Sequence, residues 1–528
     1  MPVHDHGDRP YEWVGDLAGR RASLTPDRVG LVDADTGREF TYADLAARAN
    51  RTARLLRERG VGPGDRVAVV ARNCPELVDL YFATAKLGAV LAPLSHRLPP
   101  AETGDLLATV EPSLLVVEAP FADDVTAALD GRADLAAVPT LGLAEGGEVA
   151  GDSPDWPTLA AERPTDDAPV DAASVALSDP HLFLHTGGST GQPTEVVLSH
   201  GSIAWNAFTT ITSWGLRPDD VTPMVFPMFH TGGWNVLTVP FFHLGATVVI
   251  ARDFDPAQVL ATVEAREATV LVAVPAVLRL MAEADAWDAT DLSSIRFAKS
   301  GGGPCREAVI QAWRERGVDL SQGYGLTECG PNNFAMPEGF PREKTGTIGK
   351  PGLYVDARIV DEDGDPLPQG DVGELELASP HAADRYWRSE AETAEAFGDG
   401  WVSTGDLARV DADGYYRIEG RKKNMFVSGG ENVYPPTVED AVATHPLVDD
   451  IVVIPVPDET WGEVGTAVVE GGDESLTIEE LRDFLDGTLA PYEIPRHLAF
   501  VDELPRSGPD KIDRTAVARR FGASEDDV

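Results

Sequence analysis

Between residues 41 and 94 the chain alternates between two hydrophobic periods, and this alternation constrains the fold more than any other feature. "TYADLAARANRTARLLRERG" (41–60) spaces its apolar residues as a helix does, with Thr41 placed to cap the start and Gly60 to stop it. After Arg66, "RVAVVA" (66–71) is unbroken in its apolar residues, as a strand buried on both faces requires. "PELVDLYFATAKLGA" returns to helix and "VLAPL" to strand, and similar units recur at "SLLVVE", "ATVVIA", "ATVLVAVP" and "SIRFAKSGG". Strands joined through helices predict parallel sheets covered by helices, an α/β fold. From about residue 147 to 177 the chain is rich in Pro, Asp and Ala and reads as a surface connection. After about residue 345 the strands shorten around "DEDGDPLPQGDVGE" and "DADGYY", which predicts antiparallel hairpins. A last unit begins near Gly420, giving an expected division into 1–419 and 420–528.

Composition narrows the setting. A chain of 528 residues exceeds one core, and two to four structural units are expected. Cys74, Cys305 and Cys329 are odd in number and far apart, so no disulfide framework or zinc spacing is expected. The cysteine usage points to a reducing cytoplasm, and with no basic-then-apolar leader and no run as long as a membrane span, neither a secretory signal nor a membrane span is expected. The formal net charge of −44 is spread along the chain. Such a surface repels nucleic acid and anionic membranes, and it suits concentrated salt, where screening shortens the repulsion. A halophilic source is the expectation. Lysine is scarce: only residues 86, 299, 344, 350, 422, 423 and 511 carry it.

The stretch "HTGGSTGQPTE" (185–195) follows the apolar "HLFLH". Gly187, Gly188 and Gly191 allow tight turns in which successive N–H groups converge on an anion, and Thr186, Ser189 and Thr190 add hydroxyl donors. It is not a Walker loop, because Gly-Lys-Ser/Thr is absent and no helix start follows directly. "SQGYGLTECG" (321–330) sets Tyr324 and Gly325 just before Thr327 and Glu328. That is an aromatic face for a purine, a hydroxyl for a phosphate and a carboxylate for Mg2+. Further on, Asp406 has the chemistry to hold two ribose hydroxyls and Arg421 to add a donor beside them, while "SGG" (Ser428, Gly429, Gly430) is a second loop for close backbone approach. Lys511 lies in a Gly/Pro-rich turn near the end.

Each of these signals is weak alone. In this order and at these separations the chain resembles the adenylate-forming superfamily: acyl-CoA synthetases, peptide-synthetase adenylation domains and firefly luciferase. The resemblance runs from about residue 25 to 515. Thr186–Glu195 resembles the phosphate loop "TSGTTGxPKG", Tyr324–Glu328 "YGxTE", Gly373–Pro380 "GELxxxxP" and Thr404–Asp406 "TGD". Gly420–Asn424 resembles the hinge "GRxKD", Ser428–Pro435 matches "SGGENVYP" throughout, and Pro505–Lys511 resembles "PRTxxGK". The fold implied is a large N-terminal domain of helix-covered sheets with a distorted β-barrel, followed by a small mobile α+β domain.

The resemblance implies ATP-dependent activation of a carboxylic acid to an acyl-adenylate, followed by transfer to coenzyme A. Tyr324 is expected at adenine, Asp406 and Arg421 at the ribose, Thr327 at the α-phosphate and Glu328 at Mg2+. Lys511 is expected at the reacting carboxylate and α-phosphate, Lys423 at the pivot of the small domain, and residues 428–430 along the pantetheine tunnel. "FPMFHTGGWNVL" (226–237) implies His230 at the tunnel mouth, with Thr231, Gly232, Trp234 and the glycines of 300–304, Gly302 among them, lining the acyl pocket. That segment holds no Asp or Glu to pair a substrate amine, which favours an uncharged acyl group: a medium- or long-chain fatty acid or an arylalkanoate. A separate carrier protein as acceptor and a homodimeric state both stay open.

Three positions depart from the family pattern: Thr194 for Lys, Glu195 for Gly, and Asp510 for the Gly before Lys511. They leave room for a catalytically weakened nucleotide-binding regulator. Losing one charge-assisted hydrogen bond costs roughly 1.5–3 kcal/mol, which slows a ligase without abolishing it. Glu195 is expected to point away from phosphate, and a lysine restored at 194 is expected to improve ATP use.

Overall fold

The computed structural model describes residues 10–135, 137–144, 155–162, 175–187, 193–471, 476–506 and 512–522. The chain divides into two compact units: residues 1–341, 349–357 and 377–403, and residues 342–348, 358–376 and 404–528.

The first unit is the α/β part. Its largest sheet has seven strands in the order Arg385–Tyr386, Pro193–Ser199, Pro180–Gly187, Val90–Leu94, Arg66–Val70, Leu114–Glu118 and Thr140–Leu143. The strands from 180–187 onward in that order run parallel, and 193–199 and 385–386 are added antiparallel at one edge. The apolar run in "RVAVV" has its reason here: Val67 and Val69 enter one core while Ala68 and Val70 enter the core on the opposite face. The predicted helix over 41–60 spans Tyr42–Glu58, with Thr41 and Asp44 forming a reciprocal capping box. The next spans Pro75–Leu87 and ends at Gly88 with φ +64°, where a Cβ is disfavoured.

Two smaller sheets complete this unit. Glu39–Thr41, Val29–Asp33, Thr247–Ile250 and Val221–Met224 form one, and the parallel strands Val270–Ala273, Phe297–Ser300 and Leu320–Gln322 form the other. The segment read as a surface connection contains an exception. Asp155 caps a short helix, Trp156–Ala161, and Trp156 is buried in the main core. A large apolar ring outweighs the polar composition around it.

The second unit contains, from Thr404 on, the long hairpin of Trp401–Val410 with Tyr416–Arg421, whose "DADG" turn is closed by Asp411 accepting from the Asp413 and Tyr415 N–H groups. With Asp356–Val360 and Gly373–Ala378 these strands make a curled sheet. Beyond it, Asp450–Asp458 and Gly462–Glu470 pair antiparallel, flanked by Phe426–Ser428 with Glu431–Val433 and by the parallel strand His497–Val501. Val453 and Val469 face a core shared with helices Pro435–Val442 and Ile478–Leu485, while Val452 and Val468 face Val517 of helix Arg514–Phe521. The chain is thus a mixed α/β protein with large N-terminal sheets and a small α+β C-terminal part.

Candidate active site

The glycine- and hydroxyl-rich stretch joins two antiparallel strands, with Thr186 opposite Thr194 and His185 opposite Glu195. A hairpin of this kind differs from a strand-to-helix phosphate loop, and helix His200–Trp214 begins only after the second strand. Gly187 closes the first strand; Gly188, Ser189, Thr190 and Gly191 lie outside the described residues. Thr194 Oγ1 donates to Glu392 Oε2 at 3.2 Å, and Ser389 Oγ donates to the same oxygen at 2.8 Å. Glu195 is fully buried, and neither carboxyl oxygen has a hydrogen-bond partner among the described residues. Burial alone raises its pKa to about 8, so it sits in the interior as a neutral acid at pH 7.

His185, across the strand pair from Glu195, is buried and held neutral, its pKa lowered to about 3 by burial and by His230 nearby. The rings of His185 and His230 lie 6.1 Å apart, and Phe229 packs 4.6 Å from His230. His230 is exposed. The residues after it form a π-helical turn, Gly232–Val236, a local widening often found at functional sites. Gly233 is required there, since a Cβ would stand 2.5 Å from the Pro227 carbonyl oxygen. Trp234, expected along the acyl pocket, turns instead into the main core, stacked at 4.9 Å on Tyr81 with its Nε1–H donating to the Met228 carbonyl.

The candidate nucleotide segment is fixed from below. Gln322 donates through Nε2 to the Gly303 carbonyl at 2.9 Å and accepts from the Cys305 N–H at 3.0 Å, which ties the 300–305 loop to the strand before Tyr324. Gly302 takes φ +83°, a left-handed value suited to glycine. Tyr324 meets Phe334 edge-on at 5.7 Å, and at Gly325 a Cβ would collide with the Pro331 backbone. Beyond half-buried Thr327, Glu328 accepts a 2.9 Å hydrogen bond from Tyr386 Oη on Oε1, and its carbonyl accepts from the Ala383 N–H at 2.8 Å. Burial first, and the Glu328 carboxylate second, raise the Tyr386 pKa well above that of a free phenol, so it remains a donor. The segment is further braced by buried amides: Asn332 donates to Thr210 Oγ1 at 2.7 Å and to the Val236 carbonyl at 2.9 Å, and Asn333 Oδ1 meets His381 Nε2 at 3.0 Å.

In the second unit the structure brings Asp406 and Arg421 together. They face each other across the hairpin, with Arg421 Nε 2.7 Å from Asp406 Oδ1. Glu374 accepts from the Gly405 N–H and from Lys422 Nζ, at 3.2 and 2.9 Å, so the "GEL" and "TGD" matches meet at one carboxylate. Lys423 is exposed in the turn Lys422–Asn424. Ser428 pairs with Glu431, and the two glycines between them take φ +63° and +90°, the values of a tight hairpin turn. Lys511 lies outside the described residues.

The chain as a whole is similar to known proteins in sequence and in fold. Residues 19–387 match the model of the AMP-binding enzyme family, and residues 437–511 match that of the AMP-binding enzyme C-terminal domain. The chain belongs to the AMP-binding enzyme family. It is 36% identical to a feruloyl-CoA synthase of Amycolatopsis sp, covering 96% of this chain and 99% of that one. It is 31% identical to a long-chain-fatty-acid–CoA ligase of Mycobacterium tuberculosis, covering 97% and 99%. Among solved structures it resembles ATP-bound MatB from Rhodopseudomonas palustris, with TM-score 0.85, 31% identity and coverage of 96% and 99%. It is therefore an ATP-dependent, AMP-forming acid–CoA ligase of the acyl-CoA ligase branch. Among the described residues no helix is long and apolar enough to cross a membrane.

Sequence reasoning missed Tyr386, Glu392 and Lys299. The first two act across long separations in the chain. Lys299 is 5% exposed on the Phe297–Ser300 strand, with Nζ 4.9 Å from the Trp214 ring centroid and 3.4 Å from Ser321 Oγ. No carboxylate pairs with it among the described residues, and burial lowers its pKa to about 8. A lysine buried in a lysine-poor chain is the signal that was available.

Proposed function

We propose that this ligase activates an arylalkanoic acid that carries an oxygen substituent on its ring. The observation that carries this reading is Lys299. A buried ammonium without a counter-charge is costly, and it is stabilised by an acceptor supplied from outside the fold. Lys299 directly precedes the Ser300–Pro304 loop, whose glycines are expected at the acyl pocket, and it lies over an aromatic ring. A phenolic or methoxy oxygen supplies an acceptor there; the end of an alkyl chain does not. The 36% identical feruloyl-CoA synthase supports the aryl reading over a fatty acid.

In the first half-reaction a carboxylate oxygen attacks the α-phosphorus of ATP, forming the acyl–phosphate bond and expelling pyrophosphate. In the second, the thiolate of coenzyme A attacks the acyl carbon and AMP leaves. Both nucleophiles come from substrates, so the protein positions them and stabilises charge. Tyr324 stacks on adenine, Asp406 and Arg421 hold the ribose, and Thr327 contacts the α-phosphate. Gly187 and the rest of the phosphate loop cradle pyrophosphate. Lys511 meets the charge that builds at the carboxylate and α-phosphate. The C-terminal domain, from residue 420, then turns about Lys423 and brings Ser428, Gly429 and Gly430 to the pantetheine tunnel, at whose mouth His230 closes the acyl pocket.

Glu328 fits a Mg2+ ion carried by ATP. Among the described residues one of its oxygens accepts only from Tyr386, and the other accepts nothing. No cluster of three metal-binding side chains surrounds it among the described residues, and Mg2+ bound chiefly through phosphates and water needs only one or two carboxylates. Such an ion would neutralise phosphate charge.

The test is substrate choice in the parent and in Lys299→Met. The parent should favour 4-oxygenated arylalkanoates over unsubstituted ones in kcat/KM, and the variant should lose that preference while still turning over unsubstituted acids. A parent that prefers fatty acids to every aryl acid would sink the aryl reading.

A further inference from the structure

Residues 383–387 hold Glu328 at two points, the carbonyl by the Ala383 N–H and the side chain by Tyr386 Oη. The same short segment is built into the root of the phosphate loop. Arg385 and Tyr386 pair antiparallel with Val197 and Val196, and the Trp387 N–H donates to the Glu195 carbonyl at 2.8 Å. Its anchor is the Trp387 ring, packed 5.0 Å from Phe183, with Nε1–H donating to the Thr109 carbonyl at 3.1 Å. The Tyr386 ring is braced edge-on by Phe397 at 5.5 Å, and its N–H donates to Thr393 Oγ1 at 3.0 Å.

A free carboxylate rotates and offers either oxygen. A phenol bonded to Oε1 removes that rotation and leaves Oε2 with its lone pairs available to a cation. Partners that orient a metal-binding side chain commonly set the affinity of its site. Because the orienting hydroxyl belongs to a strand paired with Pro193–Ser199, the carboxylate and the phosphate-loop root share one frame.

We propose that Tyr386 is a positioning residue: its hydroxyl fixes the Glu328 carboxylate so that the second oxygen faces the divalent cation of the ATP complex. The proposal rests on Glu328 as the metal carboxylate, and the experiment separates the two. Binding of Mn2+ in the presence of ATP, without acid, is measured by electron paramagnetic resonance on the full chain. Tyr386→Phe should weaken Mn2+ binding roughly 10-fold, at the low end of the effect of removing an orienting partner, while ATP binding in a chelator stays at the parent value. Phe397→Leu disturbs the packing of the same ring but keeps the hydroxyl, and should bind Mn2+ like the parent. In turnover, Tyr386→Phe should raise KM for the ATP complex in adenylation and leave thioester formation from supplied acyl-adenylate unchanged.

Parent-like Mn2+ binding in Tyr386→Phe, with weak binding in Glu328→Gln, overturns the positioning role and leaves the metal role standing. Parent-like binding in Glu328→Gln removes the metal role and the proposal with it. Equal losses in Tyr386→Phe and Phe397→Leu, or an equal loss of chelator-insensitive ATP binding, assign Tyr386 to packing alone and also overturn the proposal.

Discussion

Glu195→Gln tests how the root of the phosphate loop is built. The Glu195 carboxyl is fully buried, without a hydrogen-bond partner among the described residues, and its pKa rises from 4.5 to about 8. With the folded value above the unfolded one, the folded state holds the proton more tightly. Its contribution is fully present below about pH 4.5 and is lost as pH rises toward and through 8. At about 1.4 kcal/mol per pKa unit the whole loss is about 5 kcal/mol, of which about 4 kcal/mol falls between pH 5 and pH 9. Gln has nearly the same shape and does not titrate. Its amide adds a pH-independent cost of its own, so the informative quantity is how the stability difference between the two proteins changes with pH. Urea unfolding at constant high salt, followed by tryptophan fluorescence, should show the variant gaining about 4 kcal/mol relative to the parent from pH 5 to pH 9. A difference that does not move with pH would show that Glu195 ionises normally in the folded protein, and the argument from its burial would fail.

Restoring the missing lysine should do little alone. Thr194 points its hydroxyl at Glu392, so in Thr194→Lys the ammonium meets that carboxylate, and KM for ATP should change less than about threefold; Thr194→Lys with Glu392→Ala should lower it about 10-fold or more, by about one charge-assisted hydrogen bond. A several-fold gain from the single substitution would place the loop tip closer to phosphate than to Glu392. Gly429→Ala puts a Cβ 2.5 Å from the Trp461 ring at φ +63°; strain of at least about 1–2 kcal/mol should slow thioester formation and spare adenylation. Equal rates in both half-reactions would separate the 428–431 turn from the thiol step. The charge of −44 predicts that the melting temperature rises between about 0.1 and 2 M KCl as repulsion is screened, and a flat or falling curve would remove the inference of life in concentrated salt.

Much of the fold was legible in the sequence, because burial on both faces of a parallel strand leaves an unbroken apolar run. "RVAVV" and "SLLVVE" are therefore readable on sight, and Thr41 and Gly60 mark helix ends by the chemistry of capping. Trp156 was hidden by polar neighbours, and the π-turn at 232–236 has no periodic signature that separates it from a loop. In the site, contiguous motifs were legible and long-range partners were not. Asp406 and Arg421 were expected near one ligand, and the hairpin register makes them an ion pair. Tyr386 reaches Glu328 across 58 residues, and Glu392 reaches Thr194 across 198, separations that no local pattern records. Lys299 sits in an alternating strand where a lysine reads as the solvent face; only the second layer packed over that strand buries it.

We propose that this chain, despite Thr194 and Glu195, carries out both half-reactions, with Lys511 serving only the first. The direct measurement is release of AMP and pyrophosphate from ATP in molar KCl, with coenzyme A and a panel of oxygenated arylalkanoates and fatty acids. Thioester formation from supplied acyl-adenylate is run beside it, for the parent and for Lys511→Ala. The parent should release one AMP and one pyrophosphate per thioester; in the variant, adenylation should be lost and thioester formation kept. Clear ATP binding without turnover of any acid, or equal loss of both steps in Lys511→Ala, would contradict it.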